Sequence, residues 1–136
     1  MLSRIDDGSL VDWTLEYDPQ RRLIVARRAT ERLSPAPGDG ALSVFQELLS
    51  AHAIDPGTTL LLVDLRRAGL RNADEDEAAE ARRRRTLNAF TQRFEKSAYL
   101  VRLAVGKLQV HRYAAEAGVT LQVFDDEPQA LAYLTG

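Results

Sequence analysis

The segment TLLLVDL, Thr59 to Leu65, carries four bulky apolar residues in succession, Leu60 to Val63, with no polar alternation. A strand with one face in water alternates. A strand without alternation is buried on both faces, the condition met in a parallel sheet covered by helices. YLVRLAV (99–105) and VTLQVF (119–124) have the same character. LVDWTLEY (10–17) differs: Val11, Trp13, Leu15 and Tyr17 point one way, and Asp12, Thr14 and Glu16 the other. It reads as a half-buried strand. Asp18 to Arg21, DPQR, has proline where a type I turn favours it. RLIVARR (22–28) then completes an antiparallel hairpin.

Helical spacing fills the intervals. After the loop SPAPGDG (34–40), Asp39 is placed to cap a helix whose inward face is Leu42, Phe45, Leu48, Leu49 and Ala53. IDPG (54–57) ends it. From Asn72 to about Ser97 the acids come first (Asp74 to Glu77, Glu80) and the arginines later (Arg82 to Arg85), an order that suits the helix dipole. Leu87, Phe90 and Phe94 form the apolar stripe of that long helix. A shorter helix spans GKLQVHRYAAEAG (106–118). DDEPQALAYL (125–134) closes the pattern, with Asp126 and Gln129 spaced as a capping box and Pro128 in the first turn. The order β-β-α-β-α-β-α-β-α predicts an α/β fold: a mostly parallel five-stranded sheet flanked by helices, in a single domain over 1–136.

Composition excludes several functions. There are no cysteines, which removes disulfides, zinc–thiolate sites and thiol nucleophiles. The formal net charge of −2 gives no general attraction to nucleic acid. The first ten residues hold two aspartates and no apolar core, so they do not read as a signal peptide. The longest bulky apolar run is far too short to span a bilayer. The expectation is a cytoplasmic protein without membrane insertion.

The candidate chemistry is sparse. Asp64 stands at the carboxyl end of the central strand, where open α/β sheets place their sites. It is either a working carboxylate or the cap of the following loop, and with no partner of catalytic type nearby the cap is the stronger reading. His52 and His111 fall in no metal-ligand spacing, so no metal is expected. AGLRN and AVGK each have one glycine and match no phosphate-binding pattern, so no cofactor is expected. No serine lies in a GxSxG context. Arg82 to Arg85 wrap a full helical turn and read as a self-paired, solvated face.

LLLVDLRRAGL and VTLQVFDDEPQALAYL, within a match running from about Thr58 to Leu134, resemble the STAS-domain family. Phe124, Asp125, Ala130 and Leu134 stand where small stand-alone bacterial members carry a phenylalanine, an acidic turn, an alanine and a leucine. Tyr133 replaces their commoner tryptophan. The resemblance implies a regulatory or protein-interaction module and not an enzyme, with the loop after the central strand as its contact surface. In anti-sigma-factor antagonists that loop is switched by phosphorylation of a serine. Here residues Leu60 to Arg85 contain no serine, threonine or tyrosine, so that switch is missing. The contact candidates are Asp64, Arg66, Arg67, Leu70 and Arg71. The three arginines beside Leu70 suit an acidic protein partner or an anionic ligand. A homodimer through the long helix is a further expectation. The alternative is a carrier or sensor of an apolar or anionic small molecule bound under Leu87, Phe90 and Phe94.

Overall fold

The computed structural model describes residues 2–6, 13–28, 39–66, 89–102 and 122–136. They form an α/β structure built on one six-stranded mixed sheet in the order β1-β2-β3-β4-β5-β6. The strands are β1 (Ser3–Arg4), β2 (Trp13–Asp18), β3 (Leu23–Arg28), β4 (Leu60–Asp64), β5 (Lys96–Leu100) and β6 (Gln122–Phe124). Helix α1 is Asp39–Ala51, a 3-10 turn spans Pro56–Thr58, and helix α2 is Glu127–Thr135. β1, β2 and β3 pair antiparallel; β3 through β6 pair parallel. Among the described residues no helix is long and apolar enough to cross a membrane.

The expectation of five mostly parallel strands is therefore corrected to six strands in a mixed sheet. The added strand, β1, is two exposed residues, too short for any pattern to mark, and its ladder extends through the Ile5 N–H to the Leu15 carbonyl at 2.9 Å. β5 also begins earlier than its apolar residues suggest. Lys96 and Ser97 enter the strand because they lie in register with Leu60 and Leu61. Residues 89–91 are helical, and the chain turns before Lys96. The rest of the long charged segment, with Asp74 to Glu77, Arg82 to Arg85 and Leu87, lies outside the described residues, as do 106–118 with His111.

Each parallel strand lies next to its predecessor. On the face that α1 covers, Trp13, Leu15, Ile24, Ala26, Leu61, Val63, Tyr99 and Val123 pack with Phe45, Leu48 and Leu49 of α1 and with Phe90 and Phe94. Aromatic rings cross this face in series: Trp13 to Phe45 at 5.7 Å, Phe45 to Phe90 at 6.0 Å, and Phe90 to Phe94 at 5.4 Å. The edge-on and tilted geometries suit the ring quadrupoles. On the opposite face, Leu23, Val25, Leu60, Leu62, Ala98 and Leu100 meet Ala130 and Leu134 of α2. β3 and β4 are thus covered on both sides, as their unbroken apolar runs require.

α1 ends differently from its periodicity. Ala53 does not face the core; it is exposed and left-handed, at φ 55°. The Ile54 N–H reaches the Leu49 carbonyl at 2.8 Å and the Ala53 N–H reaches that of Ser50 at 3.1 Å, a Schellman closure. Buried Ile54 and Leu49 supply its apolar contact. Glycine normally holds the left-handed position, because a Cβ there costs roughly 1–2 kcal/mol. Replacing Ala53 with Gly is expected to raise unfolding stability by about 0.5–1 kcal/mol, read as a higher urea midpoint at unchanged slope.

Candidate functional site

β3 and β4 present the same pattern, four apolar residues and then a charge: Leu23-Ile24-Val25-Ala26-Arg27 and Leu60-Leu61-Leu62-Val63-Asp64. Parallel pairing aligns them residue for residue, so Arg27 lies directly beside Asp64. Both belong to the α2 side of the sheet, where the apolar surface ends. The Arg27 Nη1 donates to Asp64 Oδ2 at 2.6 Å and to Glu127 Oε1, in the first turn of α2, at 2.7 Å. Its Nε donates to Glu16 Oε1 of β2 at 3.2 Å.

Arg66 completes the cluster. Its backbone N–H and its Nε both donate to Asp64 Oδ1 at 3.0 Å. Its Nη2 donates to Asp64 Oδ2 at 2.9 Å and to Glu127 Oε1 at 3.4 Å. Asp64 is therefore the cap of the loop, held besides by two guanidinium groups. Its side chain is 8% exposed and that of Arg66 40%. Burial alone would raise the Asp64 carboxyl, but hydrogen bonds from Arg66 and Arg27 outweigh it and hold the group below its ordinary value. Burial likewise opposes the charge on Arg27, yet Glu127 and Asp64 leave that guanidinium more firmly protonated than usual.

Of the five residues picked from sequence, the structure places Asp64 and Arg66 together. Arg67, Leu70 and Arg71 lie outside the described residues. Sequence reasoning missed Glu16, Arg27 and Glu127. The matching runs of β3 and β4 contain the signal for Arg27. Glu127 has none, because the cap pattern pointed to its neighbour. Asp126 does occupy the cap position, but its side chain makes no capping bond. Glu127 instead turns its carboxylate onto the arginines. Among the described residues no three potential metal-ligating side chains are grouped. His52 is exposed just past α1.

A second buried carboxylate, Asp18, organises the hairpin loop at the other end of β3. It accepts from the Gln20 N–H at 3.0 Å and from Arg21 Nε at 2.7 Å. The Arg21 hydrogen bond is the main cause that lowers its carboxyl to about 2. The chain matches no family model, no curated protein and no solved structure.

Arg27→Met leaves Asp64 with only Arg66 to balance it and is expected to cost about 3 kcal/mol. Combining it with Asp64→Leu should recover much of that loss, as urea titration of the four forms would reveal. Asp18 and Asp64 both have depressed folded values. Their stabilisation is complete above the ordinary carboxyl value near 4 and is lost as pH falls through the folded values, about 2 for Asp18. Melting temperature is expected to drop as pH falls from about 4 toward 2, and less steeply in Asp18→Asn.

Proposed function

We propose that this chain is a non-enzymatic regulatory or protein-interaction module, STAS-like in character, which docks a partner through the basic loop beginning at Arg66. The observation that supports this most is the clamp on Asp64. Asp64 and Glu127 could otherwise act as acid or base, and both are committed to guanidinium groups. The loop leaves the central strand from a fixed point, with Arg66 partly open to solvent and Arg67, Leu70 and Arg71 following in sequence. A rigid origin lowers the ordering cost of binding. Clustered arginines on the loop favour an acidic protein surface. No hydroxyl residue stands in this loop to switch it by phosphorylation.

The carrier alternative is less favoured on one observation. The space enclosed by Trp13, Phe45, Leu61, Phe90 and Phe94 amounts to about 10 Å³. That is no more than a single water would need, and its lining is apolar. Among the described residues this space has no room for a small molecule; Leu87 lies outside them.

Replacing Arg66, Arg67 and Arg71 together by alanine is expected to abolish capture of the native host's partner on immobilised protein, with the circular dichroism spectrum retained. Unchanged recovery would refute the docking surface. The homodimer expected through the long helix rests on residues outside those described, and sedimentation equilibrium decides it.

A further inference from the structure

The two carboxylates shared by Arg27 and Arg66 are not equivalent. Asp64 is buried, precedes Arg66 by two residues, and occupies its Nε and Nη2 together. Glu127 reaches in from another element and is 30% exposed. It is bonded to Arg27 at 2.7 Å, but its contact with Arg66, at 3.4 Å, is the longest in the cluster. Little apolar surface anchors the start of α2. Its buried residues, Ala130 and Leu134, lie farther along the helix. The far end is held separately, by Lys96 Nζ on the carbonyls of Tyr133 at 3.3 Å and Gly136 at 3.5 Å.

We infer that Arg27 and Arg66 form a receptor for a carboxylate side chain of an acidic peptide segment, and that Glu127 fills it in the free protein as an internal competitor. This rests on the reading of the Arg66 loop as the docking surface, and it adds Arg27 and Glu127 to that surface. An arriving carboxylate takes the place of Glu127 without changing the charge count around Asp64 and Glu16. A phosphate dianion would add a further negative charge beside those two acids, so a carboxylate is the better match. Glu127 can leave without unfolding the helix, since Lys96, Ala130 and Leu134 retain the rest of α2. Apparent affinity for the peptide is then reduced by the fraction of molecules in which Glu127 holds the site.

The test is titration of a short polyglutamate peptide at low salt, followed through the Nε–H resonances of Arg27 and Arg66. Glu127→Gln keeps the side-chain shape, removes its charge, and is expected to bind about tenfold more tightly than the parent chain. Glu127→Asp draws the carboxylate back by one methylene and is expected to move affinity in the same direction, which keeps the test open if the glutamine variant does not fold. Asp125→Asn makes the same charge change at an exposed neighbour and should leave affinity unaltered. The gain should vanish in Glu127→Gln/Arg66→Ala. No gain in either Glu127 variant, an equal gain in Asp125→Asn, a gain that survives loss of Arg66, or a response to inorganic phosphate alone would overturn the inference. If partner capture still depends on the loop arginines while these titrations fail, the carboxylate receptor of Arg27 and Arg66 and the role of Glu127 fall, and the docking surface stands.

Discussion

The contact between Arg27 and Asp64 sets most of what surrounds it. Two adjacent strands buried on both faces leave no place for an unpaired charge, and each carries one at its fifth residue, Arg27 and Asp64. Pairing them in register satisfies both at once. Asp64, so held, fixes the backbone of Arg66 and hence the direction in which the chain leaves the sheet. Arg27, so placed, reaches Glu16 on one side and Glu127 on the other. Hairpin, central strand, loop and final helix thus meet at one pair of guanidinium groups. The cost of desolvating these ions is large, and the many hydrogen bonds that each one makes are what offset it.

The two faces of the sheet are covered differently. Among the described residues, one is packed by α1 with Phe90 and Phe94, and the other by α2, a helix of nine residues. That helix packs Ala130, Leu131, Tyr133 and Leu134 against the sheet from beyond its first turn and is held at both ends by cations: the arginines at its first turn and Lys96 at its carbonyls. Cations suit the carbonyl end of a helix dipole, and a glutamate suits its start. Lys96 also lies 5.2 Å from the centre of the Tyr133 ring, so its charge serves two contacts with one helix.

Much of this order is readable in the residues themselves. Alternation across Trp13 to Tyr17 assigned Trp13 and Leu15 to the core, and the unbroken run Leu60 to Val63 identified a strand covered on both sides. Phe45, Leu48 and Leu49 are buried as their spacing requires. Other features are set by tertiary pairing and leave no local trace. Ser3 and Arg4 become a strand only because β2 offers an edge. Lys96 and Ser97 become one because β4 does. Ala53 keeps the helical period, yet closure of α1 onto Ile54 places it outside the helix. Asp126 has the residue type and spacing of a cap, but the arginines draw the first turn toward Glu127, and the capping bond is not made. The pairing of Arg27 with Asp64 is an intermediate case: its signal lies in two segments compared with each other, not in either one.

The strands that α2 covers all precede it in the chain. While the polypeptide is being made, Leu23, Val25, Leu60, Leu62, Ala98 and Leu100 can gather into a sheet before residues 127–134 have left the ribosome. For that interval an oily surface stands open to the cell, and whatever shields it must be temporary. A released chain that lacks residues 127–136 should therefore keep that surface uncovered.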